Sequence, residues 1–254
     1  NKPKIMKNIL IFIGLSCLVL MSQAQAVYQL NGVRISPENQ ALFEKIEVDY
    51  VSKVAQDAVN KGQLVNWALV KLDETIGEAN TGYNYIFVNG FASIDAMNES
   101  TDWWSNTKAI VGVDPDILYR DLREASGIYY YQRQMEIAPT EAFEYIIMNF
   151  GHANNLEGYL KGEKAWMAYH KKNMSKTGLK AWGVGAKFLP VNANQTTNVM
   201  TWNAFATKAA AMKVLANDVD GLGDWPQTNL NEIMPDGWET IVLGQILSAT
   251  SPAQ

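Results

Sequence analysis

The sequence predicts an α+β protein built from two tandem β-α-β-β-α-β units, and two observations support this. The first is an internal repeat: NKGQLVNWALVKL at 60–72 recurs as SKTGLKAWGVGAKF at 175–188 with an offset of 115. VNGFASIDAM at 88–97 recurs as WNAFATKAAAM at 202–212 with an offset of 114. The second observation is that strand and helix periodicities follow the same order in each copy. A near-constant offset across two separate motifs indicates a duplication.

The first 26 residues have the pattern of a secretory signal peptide. A basic start at Met6 precedes an apolar run, Ile9–Met21, and the small-x-small cleavage site Ala24–Ala26. We expect cleavage after Ala26 and a periplasmic or secreted location, with the residues before Met6 an upstream extension. Lipidation of Cys17 is the alternative. The run is too short to span a membrane, so no stable membrane insertion is expected after cleavage.

The composition of the mature chain excludes several classes of function. Cleavage leaves 228 of 254 residues and removes three lysines and the single cysteine, so 18 basic residues face 26 acidic ones, a net charge of −8. Nucleic acid is therefore not an expected partner, and neither disulfide nor thiol chemistry is expected. Phosphate-binding loops and serine-hydrolase elbows are absent from the sequence. Two histidines without a nearby cysteine or aspartate spacing predict no metal site.

The strands and helices are predicted most clearly in the second unit, at 141–250. An apolar, β-rich run predicts each strand, and an apolar stripe at helical spacing predicts the long first helix. Asn154 or Asn155 can cap the start of that helix, and Gly178 suits its end. The predicted strands are 143–150, 179–189, 199–206 and 238–249, and the helices are 154–178 and 207–218.

The first unit, predicted at 27–137, has the same order, and the two units join near 137–142. Its predicted strands are 27–35, 64–72, 83–91 and 127–137, its helices are 38–59 and a stretch from Ile94, and an extra helix is predicted at 114–125. A central two-strand hairpin flanked by helices defines a ferredoxin-like unit. Its helices cover one face of the sheet, so two such units can cover each other sheet to sheet.

This duplicated arrangement, with a long first helix running through KAWMAYHKK into GLKAWGVG, resembles the dimeric α/β-barrel superfamily. That group includes antibiotic-biosynthesis-type monooxygenases, haem-degrading monooxygenases and chlorite-dismutase-like haem enzymes. The resemblance implies a secreted, tandem-duplicated member in which one chain forms an intrachain dimeric α/β-barrel. It also implies a ligand cleft between the sheet and its helices.

The catalytic residues of the haem-dependent relatives match this sequence in part. Haem-degrading members use an Asn, a Trp and a His on the second helix; Asn149 can take the Asn place, but the second helices, near Ile94 and Lys208, contain no histidine. Chlorite-dismutase-like enzymes need an axial His and a distal Arg, and no arginine follows Phe143. We therefore expect no cofactor, and haem binding is kept as an alternative.

Two residues of the long second-unit helix are candidate catalytic groups. His170 is a polar residue on the apolar stripe where the first unit has Val54. A neutral imidazole there can act as a general base, or it can be a core histidine bonded to a backbone carbonyl. Glu163 shares the stripe, where desolvation raises the pKa of a carboxyl. Because Glu47 stands at the same place in the first unit, a structural role is the alternative.

The candidate ligand-binding residues are aromatic and amide side chains: Trp166, Trp182, Trp202, Asn149 and Asn203. Each can instead be a core or sheet contact. Together these patterns predict a protein that binds a small apolar or aromatic molecule. If it is an enzyme, the expected activity is that of a cofactor-independent monooxygenase or isomerase. The alternatives are a non-catalytic binding or scaffold protein and a haem-binding protein. A monomeric pseudo-dimer and a homo-oligomer are both consistent with the duplication.

Overall fold

The computed structural model describes residues 25–76, 82–118, 122–139, 141–191, 196–223 and 225–251. The predicted signal peptide lies outside the described residues except for Gln25 and Ala26. The strands are β1 (Val27–Ile35), β2 (Asn66–Ile76), β3 (Tyr85–Phe91), β4 (Arg123–Ile137), β5 (Tyr145–Gly151), β6 (Leu179–Leu189), β7 (Val199–Phe205) and β8 (Trp238–Ala249). The helices are α1 (Pro37–Ile46), α2 (Ser52–Asn60), α3 (Ile94–Glu99), α4 (Thr107–Val111), α5 (Pro115–Leu118), α6 (Leu156–Thr177), α7 (Lys208–Leu215) and α8 (Leu230–Ile233).

The eight strands form a closed antiparallel barrel in the order β1-β3-β2-β8-β5-β7-β6-β4. Each half contributes a ferredoxin-like sheet, β4-β1-β3-β2 or β8-β5-β7-β6. The halves join through β2 with β8, where Val70 pairs with Ile246, and through β4 with β6, where Tyr131 pairs with Lys187. The predicted α+β fold, an intrachain dimeric α/β-barrel, is thereby confirmed. The predicted division at 27–137 and 141–250 stays a prediction, since strands of both halves share one sheet.

The barrel has two apolar layers because alternate residues of each strand point inward and outward. The inward side chains fill the interior, as expected for eight strands. They include Leu30, Val70, Ile86, Tyr131, Met148, Met200 and Val242. The outward side chains pack beneath the helices in two further clusters, one for each half. A ligand site on this scaffold therefore lies either inside the barrel or between the sheet and a helix.

The first long helix of each half differs in one respect. In the first half α1 and α2 are joined by a π-helical turn, Glu47–Val51, whereas α6 is α-helical from Leu156 to Thr177. Asn155 caps α6 by accepting a hydrogen bond from the Gly158 amide at 3.0 Å, and Gly178 ends it with φ +72°. The predicted cap and stop of this helix are confirmed.

The extra helix predicted at 114–125 is wrong over its second part. Of the described residues in this range, those of α5 are helical and the chain is already in β4 at Arg123, while 119–121 lie outside the described residues. Pairing with β1, in which Arg123 lies opposite Ile35, outweighs the helical propensity of this segment. Among the described residues, no helix combines the length and apolar character needed to cross a bilayer.

Candidate functional site

A cavity of about 260 Å³ lies between α6 and the outer face of the second-half sheet. It collects six of the seven residues predicted from the sequence and adds Thr201 and three residues near the start of β8. The lining residues are Asn149, Glu163, Trp166, His170, Trp182, Thr201, Asn203, Met234, Gly237 and Trp238. Helical spacing explains the α6 members, since Glu163, Trp166 and His170 lie on one face of the helix.

Glu163 is the acidic group of this pocket. Its residue is only 5% exposed, and burial raises the pKa of its carboxyl to about 7. The Tyr159 hydroxyl lies one turn earlier and partly opposes that rise in pKa. That hydroxyl nevertheless makes no hydrogen bond of regular geometry to any described residue. A carboxyl with a pKa near neutrality can take up and release a proton at physiological pH.

His170 is held as a neutral imidazole. Burial lowers its pKa to about 4, and its Nδ1 atom is fully enclosed without a hydrogen-bond partner in the described part of the chain. The alternative of a core histidine bonded to a backbone carbonyl therefore lacks its bond at Nδ1. A ring with so low a pKa is a weak proton acceptor at neutral pH, so His170 suits hydrogen bonding or packing better than general-base work.

The sheet supplies the polar floor of the pocket. Asn149 on β5 pairs with Thr201 on β7, and its side-chain Nδ2 donates to Thr201 Oγ1 at 2.8 Å. Asn203, two residues further along β7, pairs with Trp182 on β6. Its side-chain amide makes no hydrogen bond to a described residue and is available to a ligand. The floor therefore offers neutral hydrogen-bonding groups.

Aromatic rings form the walls. The His170 ring lies between two indoles, with centroids 5.7 Å from Trp166 at 32° and 5.4 Å from Trp182 at 41°. On the outside of α6, Trp225 stacks on Tyr169 at 5.3 Å and 22° and contacts Trp166 at 5.6 Å. This layer of rings packs against Trp166 and His170, and the Trp166 and Trp182 indoles line the cavity beside its polar floor.

Trp202 is the predicted site residue that the cavity does not include. It lies inside the barrel, where its ring meets Tyr28 edge to face at 5.3 Å. Its neighbours Thr201 and Asn203 point outward because successive strand residues face opposite sides. A Cβ at Gly183 would stand 1.9 Å from the Trp202 ring, so the absence of a side chain there makes room for the indole.

Four lining residues were not predicted: Thr201, Met234, Gly237 and Trp238. For Thr201 a signal existed. The first half has Phe87 at the corresponding place, opposite Asn31 as Thr201 is opposite Asn149. The change from a large ring in the first repeat to a small hydroxyl side chain in the second indicates that the second repeat has a cavity at this position. The other three come from the α8–β8 segment, which has no counterpart in the repeat motifs.

Neither a metal nor haem matches the residues of this pocket. Within the described ranges no group of three or more His, Cys, Asp or Glu could hold a metal ion. A haem macrocycle is larger than a drug-sized ligand, whereas about 260 Å³ falls just below the ~300 Å³ at which pockets for such ligands begin. The His170 ring is also flanked by three aromatic rings, and the described lining contains no Lys or Arg for haem propionates.

Comparison with known proteins supports the fold. No protein-family profile matches this chain, and no curated protein does. A provisionally assigned monooxygenase from Fusobacterium nucleatum aligns over 91% of this chain and 96% of its own, with 6% identity and a TM-score of 0.58. One from Lactobacillus acidophilus aligns over 90% and 97%, with 9% identity and a TM-score of 0.56.

Two further solved structures have the same architecture. An anthrone oxidase-like protein aligns over 92% of this chain and 95% of its own, with 9% identity and a TM-score of 0.50. A chlorite dismutase variant from Candidatus Nitrospira defluvii aligns over 89% and 93%, with 8% identity and a TM-score of 0.51. At these identities the similarity shows the fold alone. The chain has the dimeric α/β-barrel fold, with both halves in one polypeptide.

Proposed function

We propose that this protein binds a small, largely apolar or aromatic molecule in the α6 pocket and transfers a proton to or from it. One observation carries the proposal: a buried carboxyl, a neutral imidazole, two asparagines and three tryptophans line a single cavity. Apolar walls with a few convergent polar groups and a perturbed pKa are the usual features of a small-molecule site.

Glu163 is the proposed proton acceptor. A general base works best when its pKa lies near the working pH, and burial raises the pKa of Glu163 to about 7. The candidate base of the sequence analysis, His170, has a pKa lowered to about 4 and is assigned instead to packing and hydrogen bonding with the ligand. Asn203 is the proposed hydrogen-bond partner for the oxygen on which negative charge develops.

The size of the pocket limits the ligand. A cavity of about 260 Å³ accommodates a molecule smaller than most drug-sized ligands. Such a molecule has a single ring or two fused rings. The tryptophan walls favour a planar ring system, because indoles stack on flat aromatic surfaces.

Two reactions follow from proton removal. Returning the proton to another carbon of the ligand is an isomerisation that needs no other reagent. Reaction of the ligand anion with dioxygen is a cofactor-independent oxygenation. The names of two structural neighbours as monooxygenases and of a third as anthrone oxidase-like make oxygenation worth testing first. A non-catalytic binding protein is the remaining candidate.

A panel of one- and two-ring phenols and cyclic ketones tests the proposal. Calorimetric titration measures binding, proton NMR in D₂O measures exchange of the acidic C–H, and an oxygen electrode measures oxidation. We expect Glu163→Gln to abolish exchange while binding persists, and His170→Ala to weaken binding. Glu47→Gln, the first-half counterpart, is the matched control and should leave exchange unchanged.

Each outcome points to one class of function. Oxygen uptake identifies an oxygenase, and exchange without uptake identifies an isomerase. Binding without exchange by wild-type protein contradicts the proton-transfer part and identifies a binding protein. Failure of every compound to bind contradicts the proposal as a whole.

We also propose a periplasmic or secreted location, which rests on the pattern of the first 26 residues alone. Mass spectrometry of the exported protein tests it, with an N-terminus at Val27 as the expected result. Because a single chain completes the barrel, a monomer satisfies the fold, and light scattering distinguishes it from a homo-oligomer.

A further inference from the structure

The charge of the pocket lining limits the kind of molecule that can enter. Among the described residues that line the cavity, no lysine or arginine is present, and the titratable side chains are Glu163 and His170. The strands contribute the uncharged residues Asn149, Thr201, Asn203 and Trp182, and the β8 side contributes Met234, Gly237 and Trp238. Within the part of the chain that the structure describes, Tyr159 is the further titratable group beside the Glu163 carboxyl.

We infer that the pocket admits neutral ligands that carry a hydroxyl or carbonyl group, such as phenols and cyclic ketones, and excludes carboxylates, sulfonates and phosphates. This inference rests on the proposed function, since it specifies the ligand of the same site.

Two physical effects act against an anion. The first is desolvation: the site disfavours charge on its own groups, keeping Glu163 largely protonated below neutral pH and His170 neutral. An anionic ligand would lose its hydration in the same surroundings and meet no opposite charge. The second acts above about pH 7, where Glu163 in the pocket wall is ionised and repels an anion.

A neutral ligand avoids both effects and finds partners. Its hydroxyl can donate to Glu163, and its oxygen can accept from the Asn203 amide, which no described residue engages. The proton that leaves the ligand goes to the Glu163 carboxylate, so the total charge of ligand and pocket does not change. Charge conservation within a buried site is favourable because no new charge has to be desolvated.

A matched pair of ligands tests the inference. 2-Naphthol and 2-naphthoate share a two-ring body and differ in the charge of the substituent. We expect calorimetric titration at about pH 8 to give at least about tenfold tighter binding of the naphthol. Lowering the pH to about 6 should strengthen naphthoate binding, because Glu163 becomes protonated, and should not strengthen naphthol binding, because the hydroxyl then donates to a neutral carboxyl.

Variants separate the carboxylate effect from general desolvation. In Glu163→Gln the pH dependence of naphthoate binding should disappear, whereas Glu47→Gln should retain it. Circular dichroism of each variant verifies folding. Naphthoate binding as tight as naphthol binding at about pH 8 would overturn the inference while leaving ligand binding intact. Failure of both ligands to bind would overturn the proposed function and this inference together.

Discussion

The two halves of the barrel have matching polar residues between the sheet and the long helix, and in the second half a cavity of about 260 Å³ lies among them. Asn31, Glu47 and Asn89 of the first half correspond to Asn149, Glu163 and Asn203 of the second. In the first half each of the three has a buried oxygen without a hydrogen-bond partner among the described residues. A buried polar atom without a partner is costly, so these three oxygens reduce the stability of the first half.

Two side chains differ at the corresponding place in the first half, and the larger of them, Phe87, fills space. Phe87 stands where the second half has Thr201, and its ring packs on Trp67 at 6.3 Å and on Phe43 at 6.0 Å. Val54, fully buried on α2, stands where α6 has His170. The strand order is the same in both halves, whereas the α8–β8 segment contributes three lining residues in the second half. The comparison therefore indicates that the side chain at Phe87 or Thr201, together with the α8–β8 segment, distinguishes the two halves.

The largest expected effect concerns Glu47, whose pKa burial raises to about 8. A carboxyl with a raised pKa contributes stability that is complete below its unfolded pKa of 4.5 and is lost as the pH rises through 8. Replacing it in Glu47→Gln should reduce the loss of unfolding free energy between about pH 5 and pH 8.5 by about 4 kcal/mol. Urea unfolding at both pH values measures this loss.

Glu163→Gln provides the comparison. The pKa of Glu163 is raised only to about 7, so its stabilising contribution is lost at a lower pH than that of Glu47. Glu163→Gln should therefore reduce the loss of unfolding free energy over the same pH range by about 3 kcal/mol. Equal slopes in wild type and Glu47→Gln would show that the first-half carboxyl is not buried as described, and the correspondence with Glu163 would lose its support.

Phe87→Thr should give the next largest effect. Phe87 is partly buried against the first-half core, so removing its ring should cost about 2 kcal/mol of unfolding free energy, less than for a fully buried phenylalanine. Chemical denaturation measures the loss. Val88→Ala, on the same strand but facing the barrel interior, is a matched control for truncation. If the two halves differ by volume alone, Phe87→Thr also gains a second binding site, seen as a stoichiometry of two. Unchanged stability would mean that Phe87 does not fill this space.

Sequence patterns predict the strands and the helix face of this site well, and they predict the sheet residues of the site poorly. The strand predicted at 238–249 agrees with the observed Trp238–Ala249, because a segment rich in strand-forming residues directly follows the turn residues Asp236 and Gly237. Glu163, Trp166 and His170 were grouped correctly because helical spacing alone places them on one face.

The remainder depended on information that a local pattern does not contain. In this barrel both faces of the sheet are covered, so the alternation of polar and apolar residues does not show which residues point inward. Nothing in the local sequence therefore assigns Trp202 to the interior and Thr201 to the pocket. Met234 and Trp238 reach the site through packing of the α8–β8 segment. Arg123 joins β4 by pairing with Ile35, which is about 90 residues away in the sequence, so no local pattern reveals that pairing.

Thr201→Phe is the reverse of Phe87→Thr, and its expected effect is on ligand binding. The ring should occupy the pocket and remove the hydroxyl that accepts from Asn149 Nδ2. We expect ligand affinity to fall at least about tenfold, equivalent to about 1.4 kcal/mol. Titration of 2-naphthol measures the change. Thr201→Val keeps the shape without the hydroxyl and should weaken binding far less. Retention of wild-type affinity by Thr201→Phe would contradict the location of the ligand.

The smallest expected effect concerns Trp225, which covers α6. It is 41% exposed and stacks on Tyr169, so its contribution is that of an aromatic pair near the surface. Trp225→Ala should lower the unfolding free energy by about 1 kcal/mol. It should also weaken ligand binding slightly, because Trp166 loses the ring that supports it from outside the pocket. Trp225→Phe retains a stacking ring and should restore most of both quantities. If alanine lowers stability but leaves binding unchanged, then Trp166 is held by the sheet side alone, and the aromatic cover is a structural feature of the second half that does not contribute to its site.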